Sequence, residues 1–165
     1  MTPGHVQVFA IEPTPKPRQT RADRWIKRPP VLRYRAFADE VRLRHLELPT
    51  RYYHVVFVMT MPSSWPEKKK RLHEGCPHTD TPDKDNLEKA LLDAVYGRDE
   101  HVWDGRVSKV WGRMGLIIVS ASSLDLNPPI YLDPIYAAAA SSRAQSWRSE
   151  VPWASTRRSG FRSAS

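Results

Sequence analysis

Cysteine and long apolar runs are scarce in this chain of 165 residues. Its single cysteine, Cys76, cannot form an internal disulfide, which fits a reducing compartment such as the cytoplasm. No stretch approaches the roughly eighteen consecutive apolar residues of a membrane helix. The first residues lack a basic segment followed by a long apolar run, so we expect no secretory signal and a cytoplasmic protein.

Acidic residues are outnumbered by basic ones, 18 against 26, which leaves a formal net charge of +8. A protein with this charge is attracted to polyanions, either nucleic acid or an anionic membrane surface. The sequence contains no basic amphipathic helix with a broad aromatic face, the feature that favours a membrane surface. We therefore expect a nucleic acid as the partner and no membrane association.

The two signs of charge are separated along the chain. Residues 15–35 hold eight Lys and Arg side chains against one acid, whereas residues 80–104 hold eight of the acids. The basic segment can contact phosphates through its side chains. The acidic segment would repel phosphates unless a cation lay between them, so its density is the more informative feature.

Hydrophobic periodicity predicts strands and helices within one domain, residues 1–120. Residues 52–61 are almost continuously β-branched and aromatic, which predicts a central strand covered on both faces. Residues 12–32 predict an extended loop, because proline lacks the N–H that a helix interior uses. The remaining predicted elements are strands at 6–11 and within 106–119, a hairpin near Gly112–Gly115, helices at 34–48 and 85–96, and a short basic helical turn within 63–76.

The composition changes after Ser120. Residues 121–165 are rich in Pro, Ala, Ser and Arg. This low-complexity composition predicts a disordered C-terminal tail, whose partner the sequence does not identify.

Three aspartates and one lysine form the pattern that most indicates chemistry. Asp83 and Asp85 flank the start of a predicted helix, and Asp104 follows nineteen residues after Asp85, just before the next predicted strand. A strand returning beside the helix start would bring the three carboxylates together, and their mutual repulsion would then require a cation. Mg²⁺, or Mn²⁺ in its place, takes such oxygen ligands and serves phosphodiester hydrolysis. Lys89, one helical turn after Asp85, would hold the phosphate or neutralise developing charge.

Each of these residues also has a structural interpretation without chemistry. Asp83 would be a helix N-cap, Asp85 and Lys89 an ion pair of about 0.3–0.5 kcal/mol, and Asp104 part of a turn. The protein would then be a non-catalytic basic nucleic-acid-binding module. Trp25, in the basic loop, either stacks on an unpaired base or packs on its own domain.

Four segments carry a recognisable pattern: PTPKPRQTR at 13–21, SWPEKKKR at 64–71, PDKDNLEKALLDAV at 82–95 and WDGRV at 103–107. In order and spacing they resemble the RusA family of Holliday-junction resolvases, which is common in phages and prophages. The resemblance runs from about residue 6 to residue 119 and excludes the tail.

The resemblance implies an α/β (α+β) fold, with a small mixed sheet packed against two main helices, in a compact homodimer. The two acidic sites of the dimer would face a basic surface that takes a four-way DNA junction. It implies Asp83, Asp85 and Asp104 as Mg²⁺-binding catalytic carboxylates, with Lys89 as the catalytic lysine. Each site would nick one strand at symmetric positions, in DNA recombination and repair within a bacterial host cell. The cations expected to contact DNA are Lys16, Arg18, Arg21, Arg24, Lys68, Lys69, Lys70 and Arg71.

Overall fold

A five-stranded mixed sheet forms the centre of the structure. The computed structural model describes residues 6–18, 20–25, 28–121, 132–133, 135–136 and 145–147. The elements are β1 (Val6–Phe9), a 3₁₀ helix (Arg21–Arg24), α1 (Pro29–Leu43), β2 (Tyr53–Thr60), α2 (Glu67–His73), α3 (Lys84–Tyr96), β3 (Gly105–Gly112), β4 (Leu116–Ser120) and β5 (Gln145–Trp147). Strand order is β3-β2-β4-β1-β5. The β2–β3 pair is parallel and the other described pairs are antiparallel, which confirms the predicted α/β (α+β) class with a small mixed sheet.

Strand β2 is central because both of its faces are buried. Side chains alternate along a strand, so odd and even residues reach opposite faces. Tyr53, Val55 and Phe57 pack in one apolar core with helices α1 and α3, and Val56 and Val58 pack in a second core on the other face. The predicted central strand covered on both sides is confirmed.

Helices α1 and α3 cover the first face of the sheet. Helix α3 buries Leu87, Ala90, Leu91 and Ala94, which follow the i, i+3, i+4, i+7 spacing of one helical stripe. Helices α2 and α3 both lie in the connection between β2 and β3, because parallel neighbours need a crossover rather than a tight turn. None of the helices in the described ranges has the length and apolar character needed to cross a membrane.

The predicted bounds of helix 34–48 were wrong at both ends. Helix α1 begins at Pro29, since a missing N–H costs nothing in the first helical turn. It ends at Leu43 in a Schellman motif: His45 adopts a positive φ of 51°, and the Leu46 N–H donates to the Val41 carbonyl at 3.2 Å.

The predicted hairpin near Gly112–Gly115 was also wrong. Strands β3 and β4 follow each other in sequence, but β2 lies between them in the sheet. Both strands pair with β2, β3 in parallel and β4 antiparallel. Strand β2 therefore pairs with β3 along one edge and with β4 along the other.

Part of the predicted tail belongs to the fold. Leu132 and Ile135 are buried in the second core, and the Tyr136 hydroxyl accepts a hydrogen bond from the Arg113 N–H at 2.7 Å. Residues 145–147 pair with β1 at the sheet edge. The rest of the predicted disordered segment lies outside the described residues.

A buried histidine in β2 makes stability depend on pH. His54 is fully buried beside the Ser108 hydroxyl, at 2.9 Å, and burial, followed by the nearby Arg106 charge, lowers the His54 pKa to about 4. Between pH 6.5 and 4 the unfolded chain binds this proton and the folded chain does not. The free energy of unfolding therefore falls as pH falls through that window, by on the order of 3 kcal/mol for the full shift.

We predict that His54→Gln lowers this pH dependence, because glutamine does not titrate. Urea unfolding at a series of pH values between 4 and 7 measures it, with wild type and variant side by side. Equal slopes for the two proteins would show that His54 is not the titrating group.

Candidate active site

The start of helix α3 carries two of the predicted acids. Asp83 occupies the N-cap position with extended backbone, yet its side chain makes no capping hydrogen bond. Asp85 lies in the first turn, and both aspartates are exposed. Asp83 is therefore the N-cap residue, as the structural interpretation has it, but its carboxylate does not cap the helix through a hydrogen bond. A carboxylate at a helix N-terminus is favoured by the helix dipole.

Lysine 109 of β3 holds the segment that leads to Asp83. Its Nζ donates to the Asp80 carbonyl at 2.7 Å and to the Pro82 carbonyl at 2.6 Å. The preceding residues follow the outer edge of β3, where the His78 N–H donates to the Lys109 carbonyl and the Trp111 N–H to the Cys76 carbonyl. The start of α3 is thus fixed to the sheet by the Lys109 side chain and by main-chain hydrogen bonds of the preceding residues.

Asp104 lies where the chain enters β3. Its carbonyl accepts a hydrogen bond from the Tyr52 N–H at 3.0 Å, and the following residue, Gly105, pairs with Tyr53 in β2. Asp104 therefore leads directly into a strand and is held by the neighbouring chain. The interpretation of Asp104 as part of an isolated turn is wrong.

Tyrosine 53 joins the start of β3 to helix α3. Its hydroxyl donates to Glu88 Oε1 at 3.0 Å, and Glu88 follows Asp85 by three residues on the same helix. Burial is the largest cause of a strongly raised Tyr53 pKa, followed by the charge and hydrogen bond of Glu88, with a smaller contribution from Asp104. The charges of Glu88 and Asp104 thus both raise the pKa of the Tyr53 hydroxyl. The sequence pattern did not single out Glu88 or Tyr53.

Glycine at position 105 allows this contact. A Cβ there would lie 2.1 Å from Cζ of the Tyr53 ring. The tyrosine ring therefore lies directly against the backbone next to Asp104, and a larger residue would displace one of them.

The predicted carboxylate set is not assembled as a closed cage. No group of three His, Cys, Asp or Glu side chains in the described ranges is placed to hold a metal ion. The predicted convergence of Asp83, Asp85 and Asp104 on one metal ion therefore stays a prediction. Their donor chemistry suits Mg²⁺, which binds through one or two carboxylates together with waters and phosphate oxygens.

Lys89 does not form the ion pair of the structural interpretation. The i, i+4 ion pairs found in the described part of the chain are Glu40–Arg44 and Glu67–Arg71. Lys89 is exposed on α3, one turn after Asp85. An exposed cation beside two exposed carboxylates is available to an anionic ligand.

Among the predicted DNA-contacting cations of the N-terminal loop, one forms an ion pair within the protein and two are exposed. Lys16 forms a short ion pair with Asp93 of α3, and its N–H donates to the Asn86 carbonyl at 3.2 Å. Arg18 and Arg21 are exposed. The Arg24 side chain lies outside the described residues.

The predicted cations of α2 divide in the same way. Lys69 lies 3.8 Å from the centre of the Trp65 ring, Lys70 Nζ donates to the Ser63 carbonyl at 3.3 Å, and Arg71 pairs with Glu67 at 3.4 Å. Lys68 is exposed on this helix. These consecutive residues make α2 basic around its circumference, although three of the four charges have protein partners.

Trp25 does not pack on its own domain, since 83% of its surface is exposed. Tyr52 and Trp103 are also exposed, and their rings meet next to Asp104. The sequence pattern singled out Trp25 but not the Tyr52–Trp103 contact, because that contact joins residues fifty-one positions apart.

One family model matches this chain, with the description "Endodeoxyribonuclease RusA", over residues 10–120. The match includes β2, both helices of the crossover and the whole acidic segment. No curated protein and no solved structure matches the chain significantly.

We predict that Lys109→Met loosens the segment before α3, because two carbonyls lose a charged donor. Hydrogen bonds to charged groups contribute about 1.5–3 kcal/mol. Amide hydrogen exchange should therefore rise at least about tenfold at His78 and Leu87, whose N–H groups donate to the Lys109 and Asp83 carbonyls on either side of the segment. Lys68→Met removes the same charge from an exposed helix and is the matched control. Unchanged exchange in Lys109→Met would contradict the anchoring role.

Proposed function

Because the chain belongs to the RusA family of endodeoxyribonucleases, we propose that it is a Mg²⁺-dependent enzyme that resolves four-way DNA junctions by paired, symmetric nicks. Family membership makes it a nuclease. The proposal of metal-dependent junction cleavage rests on the exposure and the hydrogen bonding of Asp83, Asp85 and Lys89. The two carboxylates have no capping bond or i, i+4 ion pair, and all three side chains are exposed at one end of α3.

We assign the metal to Asp83 and Asp85, with Asp104 as the third carboxylate. Mg²⁺ held by these carboxylates would supply Lewis acidity at the scissile phosphate. Lys89 lies one turn after Asp85, where its ammonium group would neutralise charge that develops on the phosphate during cleavage. The Tyr53 hydroxyl holds the half-buried Glu88 carboxylate by a hydrogen bond of 3.0 Å.

The exposed cations would position the junction arms. Arg18, Arg21 and Lys68 are exposed on the N-terminal loop and on α2, and such side chains contact phosphates without reading bases. A homodimer would present two such surfaces related by a twofold axis, which matches the symmetry of a four-way junction. Sedimentation of the protein with and without junction DNA tests the dimer directly.

We predict that Asp85→Asn abolishes cleavage of a synthetic four-way junction in Mg²⁺ but leaves junction binding intact. The loss should be at least about a hundredfold, since the amide removes a charge from the reacting centre. Cleavage is measured on labelled junctions with EDTA and with Mg²⁺ or Mn²⁺ added back. Asp80→Asn, which changes an exposed acid three residues before Asp83, is the matched control and should cleave normally.

Full cleavage by Asp85→Asn would remove Asp85 from the site. Binding without any divalent-dependent cleavage by wild type would instead favour the non-catalytic nucleic-acid-binding module. Equal cleavage of junction, flap and linear duplex would keep the nuclease and contradict the junction selectivity.

A second prediction separates exposed cations from engaged ones. Arg21→Gln and Lys68→Gln should each lower the salt dependence of junction affinity by about one in the slope of log K against log salt. Lys16→Gln should leave that slope unchanged, because the Lys16 ammonium group is paired with Asp93. Fluorescence anisotropy between 50 and 200 mM salt, roughly the range over which such contacts are lost, measures the slopes. A lower slope in Lys16→Gln would contradict the assignment of its charge to Asp93.

A further inference from the structure

Two aromatic rings stand exposed beside Asp104. Tyr52 is 58% exposed and Trp103 is 66% exposed, and the ring centroids lie 5.7 Å apart at an interplanar angle of 71°. Large aromatic side chains normally bury much of their surface. These two contact each other while leaving most of their surface in water, at the point where the chain enters β3.

A cation completes this surface. The Arg51 guanidinium carbon lies 5.7 Å from the centre of the Tyr52 ring. A guanidinium group beside exposed rings attracts a ligand that has both a flat π-face and a negative charge. Nucleotides have both, and a chain with net charge +8 already favours them.

The backbone of Tyr52 is costly for a tyrosine. Its φ of 58° is left-handed, a conformation that Gly and Asn adopt more readily than residues with a large side chain. The hydrogen bond from its N–H to the Asp104 carbonyl holds the chain in this shape. A tyrosine at this position therefore strains the backbone, while more than half of its surface stays exposed.

We propose that Tyr52 and Trp103, flanked by Arg51, form a stacking subsite for an unpaired nucleobase next to the scissile phosphate. The inference rests on the proposed function, because it takes Asp104 as part of the cleavage site. Bases that have left a duplex stack on exposed aromatic rings without regard to sequence. A branch point supplies such bases, so the subsite would favour branched over linear duplex DNA.

The test uses binding of a single-stranded oligonucleotide that contains 2-aminopurine, in EDTA so that no cleavage occurs. Wild type should quench the 2-aminopurine fluorescence. Tyr52→Asn and Trp103→Ser should each weaken affinity at least about fivefold and reduce the quenching. Their salt dependence should stay that of wild type, since the rings contact no phosphate.

Two kinds of control accompany these variants. Leu43→Ser changes a leucine that is 72% exposed at the end of α1, and it should leave affinity and quenching unchanged. Tyr52→Phe and Trp103→Phe keep an aromatic ring and should restore most of the quenching. Tyr52→Asn should be at least as stable as wild type in urea unfolding, which separates loss of stacking from loss of fold.

Unchanged quenching in Tyr52→Asn and Trp103→Ser would overturn the subsite. Dissociation of a wild-type dimer by these variants, with normal quenching, would also overturn it and make the rings an interface between copies of the chain. Junction cleavage by wild type in Mg²⁺ is measured in parallel. Its absence, with ring-dependent quenching preserved, would refute the nuclease proposal and leave base stacking standing.

Discussion

Parallel pairing of β2 with β3 is the constraint on which the candidate site depends. The register pairs Tyr53 with Gly105, and it places the Tyr52 N–H against the Asp104 carbonyl. Parallel neighbours cannot be joined by a tight turn, so the chain must leave the sheet and return, and that detour carries α2 and α3. A slip of one residue would send the side chains of β3 to the opposite face. This register therefore fixes Asp104 beside Tyr53, whose hydroxyl donates to Glu88 of α3.

The sequence predicted the elements whose signal is local. β2 has a continuous β-branched and aromatic run, and α3 has a regular apolar stripe closed by Gly97, so both were confirmed within a residue or two. The family pattern in residues 82–95 also lies on one element and was recognisable. Local signals failed at α1, where Pro29 was taken as a helix breaker although it stands in the first turn.

The remaining features depend on contacts that are distant in sequence. Nothing near Lys109 indicates that its ammonium group reaches the Asp80 and Pro82 carbonyls, and nothing near Glu88 indicates Tyr53. Net charge also does not indicate which cationic side chains form ion pairs. Arg113 has the same charge as any other arginine in the sequence, yet Glu67 and Glu74 engage it, which raises its pKa. Only the folded chain distinguishes these cases.

Leu132 and Ile135, in the region after Ser120, are part of the second apolar core. They cover Val56, Val58 and Ile118, which would otherwise meet water on the second face of the sheet. A shortened chain that stops at residue 120 would retain each predicted metal ligand and the catalytic lysine, yet it would carry a broad sticky surface. A premature stop codon there would thus cause the protein to aggregate, although the proposed active-site residues would all be present.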